Sequence, residues 1–147
     1  MSASFEETYR DQRLPLVRLA YLLCGSREQS EDVVQTAFTA AHTRWDDVRD
    51  PGPYLRRAVV NLVKDGQRRH FRWRGLVGEP ETVTHLPELD ETWAVVQSLP
   101  QVQRAVVVLH FYEDLPLTEI AEVLDRPPGT VRSDLHRALA RLRKALS

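Results

Sequence analysis

The chain has almost no cysteine: Cys24 stands alone among 147 residues. One thiol excludes an internal disulfide and supplies no cysteine cluster for a metal, so a buried, inert role is expected for it. Long apolar runs are missing too. Stretches such as Ala105 to Leu109 are far shorter than the roughly 20 residues a membrane-crossing helix needs. No secretory leader is evident either, so no membrane insertion and a cytoplasmic location are expected. The five histidines, His42, His70, His85, His110 and His136, lie scattered. They make no His-x-x-x-His or Cys–His pairing, which leaves neither metal nor nucleophile geometry. His110, between Leu109 and Phe111, is expected to be a satisfied structural histidine. No GxxxxGK[ST] loop cradles a phosphate. No catalytic residue, metal or cofactor is therefore expected, and an enzyme is the least favoured class.

Strand alternation between hairpin turns is also absent, and helical periodicity dominates. The expected fold is all-α, as two small helical domains joined by a flexible linker. The first half predicts helices near Phe5 to Arg13 and Pro15 to Leu23, with Gly25 as the stop. Ser26 followed by Gln29 resembles a capping box for a helix reaching about Trp45. Pro51 and Pro53 restart the chain, and a helix follows through Leu55, Ala58, Val59, Leu62 and Val63. Residues 75–89, GLVGEPETVTHLPEL, carry two glycines, two prolines and no period, and predict a linker between domains at 1–74 and 90–147. Beyond it come helices at Asp90 to Leu99 and about Gln101 to Tyr112.

The net charge of −1 conceals segregation. Residues 54–74 hold seven bases and only Asp65, and residues 126–147 hold six bases against Asp134. Residues 79–125 between them hold ten acids and only Arg104. Two basic blocks separated by acid suggest two polyanion contacts.

The last block has a pattern. Ile120, Ala121 and Leu124 form a short apolar stripe, Arg126-Pro127-Pro128-Gly129 interrupts it, and Val131, Leu135, Ala138, Leu139, Leu142 and Leu146 resume it. Short helix, tight turn and long basic helix make a helix-turn-helix, whose second helix enters the DNA major groove. Thr130 is the expected N-cap, and Arg132, Ser133, His136 and Arg137 fall off the stripe where base-reading side chains belong. An ordinary helical hairpin with a solvated basic face fits the same pattern.

In the first block, Tyr54, Arg56, Arg57, Asn61, Asp65, Arg68 and Arg69 combine an aromatic, an amide and guanidiniums, which suits unstacked bases and their phosphates. The loop from Trp45 to Pro53 could cup an extruded base, although Trp45 itself reads better as a core anchor. The preceding helix presents Val33, Val34, Ala37, Phe38 and Ala41 for packing, and Glu28, Glu31, Asp32 and Gln35 sit early on its outer face. From spacing alone, compensation of the helix dipole explains them better than a docking surface for a basic partner does.

SREQSEDVVQTAF followed by DPGPYLRRAVVNLVKDGQRR resembles region 2 of bacterial sigma factors of the extracytoplasmic-function (ECF) type. LPQVQRAVVVLHFYEDLPLTEIAEVLDRPPGTVRSDLHRALARLRKAL resembles their region 4, and the whole is most similar to the compact actinobacterial SigE-like subgroup. The resemblance implies an alternative sigma factor that binds core RNA polymerase and directs promoter-specific initiation. Glu31, Asp32, Val34 and Gln35 match the motif that docks on the β′ clamp helices. Asp50 through Tyr54 match the loop, and Arg56, Arg57, Asn61 and Arg68 the helix, that recognise and melt the minus-ten element. Thr130, Arg132, Ser133, His136 and Arg137 match the reader of the minus-thirty-five duplex, in a module that also meets the β flap. An anti-sigma factor is a further implied partner. Asp134 departs from the family, which often has a base there; unable to approach phosphate, it must face a base donor, pair with a neighbouring arginine or point away, and Asp134→Arg is expected to strengthen duplex binding. Competing functions are a polymerase-independent helix-turn-helix regulator and a sigma-like inhibitor that only binds protein.

Overall fold

Among the residues described by the computed structural model, 4–77 and 91–146, seven α-helices and no strand occur. Side chains are described for 4–66 and 92–146. The chain forms two compact units, 1–83 and 84–147.

In the first unit, Ser4 opens α1 (Phe5–Cys24) by accepting a hydrogen bond on Oγ from the Glu7 amide at 3.1 Å. The helix runs unbroken through Pro15, where a break between two helices was expected. Proline cannot serve the Asp11 carbonyl, but Asp11, Leu14 and Pro15 are all exposed, so water can do so. The opposite face buries Leu16, Leu19, Ala20 and Leu23, and that burial outweighs one lost bond. Gly25 ends α1 at φ 74°, donating to the Tyr21 carbonyl at 2.8 Å. Ser26 then caps α2 (Arg27–Thr43), its Oγ accepting from the Gln29 amide at 3.1 Å, as the Ser26/Gln29 spacing predicts.

A tight 3₁₀ turn, Trp45–Asp47, leads into α3 (Pro51–Val77). Both prolines lie inside the first turn of α3, because their missing N–H groups would be unpaired there anyway. The segment expected as a loop up to Tyr54 is therefore helical from Pro51, with the Tyr54 amide bonded to the Asp50 carbonyl at 3.2 Å. At its far end α3 takes in 75–77, three residues of the expected linker. Phe38, Leu19, Leu55, Val34, Val59 and Val60 are the large, fully buried side chains at the junction of the three helices. Gly66 of α3 faces the end of the Gln29 side chain on α2: a Cβ there would lie 2.7 Å from Gln29 Nε2, a contact that a rotation of that side chain relieves.

In the second unit, α4 (Glu91–Ser98) breaks at Leu99-Pro100 as expected, and α5 (Gln101–Val107) follows. Its continuation, Val108–Tyr112, is a wide π turn in which the Glu113 amide reaches back to the Val108 carbonyl at 3.2 Å. His110 Nδ1 and the Leu115 carbonyl, 2.9 Å apart, brace this turn, so His110 is structurally engaged. After Asp114 in the left-handed region (φ 55°), α6 (Leu117–Leu124) begins.

Asp125, at φ 53°, turns the chain, and α7 (Pro128–Leu146) starts at once. Thr130 is thus not the N-cap: the Pro127 carbonyl already accepts from the Thr130 and Val131 amides at 3.0 and 3.1 Å. Pro128 suits the first helical position and Gly129 is inside the helix, so Asp125 supplies the left-handed residue of the turn. Leu99, Val107 and Ala138 form a core, with Leu135 and Leu142 packed against it.

Candidate nucleic-acid interface

The buried residues of α7 are Val131, Asp134 and Ala138. Turned away from them, Arg132, Ser133, His136 and Arg137 are all exposed, as the off-stripe positions predict, whereas Thr130 is half-buried. Ser133 Oγ donates to the Gly129 carbonyl at 3.1 Å, so its hydroxyl meets an outside donor with its lone pairs. Helix spacing thus presents two guanidiniums, an imidazole and a hydroxyl on the outward side of α7.

Asp134 pairs with neighbouring arginines, one of its three expected environments, but from inside the unit, where a base in its place would not meet phosphate. It is 5% exposed and points inward. Its Oδ1 accepts from Arg137 Nη2 at 3.1 Å, and its Oδ2 lies 3.2 Å from Arg126 Nε. The second contact is an ion pair without an aligned N–H···O bond. An arginine at this position would face two arginines inside the unit instead of reaching phosphate.

On α3, Tyr54, Arg57 and Asn61 are exposed at spacings of three and four residues, and Asp50 precedes them by four. That periodicity sets Asp50, Tyr54, Arg57 and Asn61 along one stripe, opposite the buried Leu55, Val59 and Val63. Arg56 does not share the stripe: it is half-buried, and its phase falls between the buried Val60 and Val63. Arg68 is on α3, but its side chain is outside the described residues.

A cleft of about 460 Å³ opens beside the turn before α3, lined by Phe5, His42, Thr43, Arg44, Trp45, Asp46 and Asp47. Phe5 and His42 were not expected here. The Phe5 ring meets His42 and Trp45 edge-on, with centroids 4.8 and 5.2 Å apart. Nearly forty residues separate Phe5 from this turn, so no local pattern signals the contact.

On α2, Glu28, Glu31, Asp32 and Gln35 are exposed together. Arg27 Nε lies 3.8 Å from Glu31 Oε1 with both side chains largely in solvent, a weak pair. Val34 does not share this face: at 2% exposure it belongs to the core, because its position falls with Val33, Ala37 and Phe38. Among the described residues no cluster of three His, Cys, Asp or Glu side chains is placed to hold a metal. Nor is any helix among them long and apolar enough to cross a membrane.

The family pattern of sigma-70 region 2 matches residues 8–74, and that of sigma-70 region 4 matches residues 89–142. The RNA polymerase sigma-E factor of Streptomyces coelicolor is 34% identical over 97% of this chain and 85% of its own length. The chain belongs to the sigma-70 family. It is an ECF sigma factor of the SigE-like kind, an initiation factor that binds core RNA polymerase and promoter DNA. The ECF sigma factor SigW of Bacillus subtilis is 29% identical, over 98% of this sigma factor and 88% of its relative. In fold, this sigma factor is similar to RpoE of Bartonella quintana, solved in complex with the anti-sigma factor NepR. The TM-score is 0.81 at 20% identity, over 97% of this chain and 96% of that one.

Proposed function

We propose that residues 1–74 dock on core polymerase and open the minus-ten element, that 75–89 tether, and that 90–147 read the minus-thirty-five duplex. The observation that carries this is the presence of two outward faces on separate units, Tyr54, Arg57 and Asn61 on α3 and Arg132, Ser133, His136 and Arg137 on α7. The acidic face of α2 stands on the same unit as the first. Glu31, Asp32 and Gln35 meet the β′ clamp helices, where a basic partner surface attracts them. Val34 holds their helix in place from behind.

Tyr54 offers a ring to an unstacked base, Asn61 an amide, and Arg56 and Arg57 charge to the displaced strand. Captured bases offset the loss of stacking, so strand opening needs no nucleotide hydrolysis by this chain, which acts without catalysis. Arg132, Ser133, His136 and Arg137 face base edges and phosphates in the major groove. The β flap holds the second unit. Linking two weak sites raises the effective concentration of the second, so neither module needs to bind tightly alone.

An anti-sigma factor is a further partner, by likeness to the fold neighbour held by one. The chain works in the cytoplasm, where polymerase and promoter are. Transcription with purified core polymerase on a library of upstream regions tests the whole reading. Promoter-selective transcripts that require the chain support it, and their absence overturns it.

A further inference from the structure

Asp134 is a carboxylate inside a DNA-reading unit, a poor neighbour for phosphate unless it acts through something else. It is buried, and its two oxygens reach the two arginines that flank it in space. Arg126 comes from the turn between α6 and α7, with its side chain 35% exposed. Arg137 comes from one helical turn further along α7, with its side chain 58% exposed. The carboxylate thus grips one nitrogen of the Arg137 guanidinium and leaves most of the group facing out.

We propose that Asp134 is a positioning residue: it pins Arg137 for base readout and ties the reader helix to its turn through Arg126. This rests on the reading of α7 as the minus-thirty-five reader. A long arginine side chain loses rotamer freedom when it engages a base, and one already held has less to lose. A held guanidinium also meets a single base pair, whereas a released one can swing to the nearest phosphate. Asp134 further offsets one of the six positive charges of residues 126–147. It therefore lowers attraction to any duplex while sharpening choice among duplexes.

The test uses the full chain with core polymerase, selecting from duplexes randomised over the minus-thirty-five element, with binding titrated against salt. Wild type is expected to enrich a sequence, and Arg137→Ala to abolish preference at one of its base pairs. Asp134→Asn, close in shape but uncharged, is expected to weaken preference at that same base pair by about tenfold. It should also strengthen binding to scrambled duplex and steepen the salt slope by about one. Adding Arg137→Ala to it should remove no further preference. Arg132→Ala should lose preference at a different base pair only.

Asp134→Asn with full preference, or with equal weakening on specific and scrambled duplexes, reduces Asp134 to a structural ion pair and overturns the assignment. A measurement on the wild type needs no variant: nitrogen-15 relaxation of arginine Nε in the free chain. An Arg137 order parameter near the rigid-backbone value of about 0.85, well above that of Arg132, supports positioning. Equal mobility of the two overturns it. If wild type enriches no sequence at all, the reading of α7 fails first and the role of Asp134 falls with it.

Discussion

The Phe5 ring, at the first residue of α1, stands edge-on to the Trp45 indole, with centroids 5.2 Å apart and planes at 86°. Phe5 also meets Phe38 at 6.0 Å, so the start of the chain is joined both to the core and to the turn before α3. Trp45 is thereby a structural anchor at the edge of the cleft, as its sequence context suggests.

Phe5→Ala removes three edge-on ring contacts from a half-buried site. A loss of about 2 kcal/mol is expected for the first unit, below the range for a fully buried phenylalanine. Thermal unfolding followed by tryptophan fluorescence checks it, and a midpoint unchanged from wild type would show the contact to be incidental.

Asp32→Arg reverses a charge on the exposed face of α2. Fold stability should change by no more than about 0.5 kcal/mol, since the site is a plain surface position. Association with core polymerase should be lost, because a basic partner then meets a base. Co-purification with core enzyme decides: retention at wild-type levels removes α2 from the docking surface.

Arg56→Ala combined with Arg57→Ala should reduce permanganate-detectable opening at the minus-ten element. Selection of the minus-thirty-five sequence should be unaffected, because it is assigned to the other unit. Normal opening by the double variant would exclude both side chains from strand capture.

Asp134→Arg is expected to destabilise the second unit by roughly 2–4 kcal/mol, since it removes the carboxylate shared by two part-exposed arginines and puts a cation at a buried position beside them. The sequence alone predicts the opposite, a tighter duplex binder. Denaturation of the variant separates the two: wild-type stability would mean that Asp134 can turn outward.

Most of the helical architecture was legible because it depends on local chemistry. Gly25, Ser26 and the Leu99-Pro100 break act within a few residues of themselves, and the structure ends or starts helices there. Pro15 misled because proline normally breaks a helix, and only the burial of the opposite face by α2 and α3 keeps this one intact. Thr130 misled because a capping residue is recognisable from type, whereas Pro128 needs only the first helical turn and came two residues sooner. The outward faces of α3 and α7 followed from periodicity. So did the burial of Val34 with Val33, Ala37, Phe38 and Ala41, although the family motif counts it among the docking residues. Asp134 did not: it lies at the margin of its stripe, where one residue of phase decides between solvent and core. For Asp134 the deciding partner, Arg126, arrives from outside the helix.

The wide turn at Val108–Tyr112 holds one residue more than an α-helical turn would. Each residue of a helix rotates the chain by about 100°, so that surplus residue sets the heading at which the backbone leaves α5. The clasp between His110 and Leu115 then holds the heading steady as α6 begins. Loss of a single codon anywhere in this segment lets an ordinary helical ladder close, and the exit swings by nearly a third of a turn. Every side chain of α7 proposed as a reader would still be encoded and still be helical, yet carried on a helix aimed elsewhere.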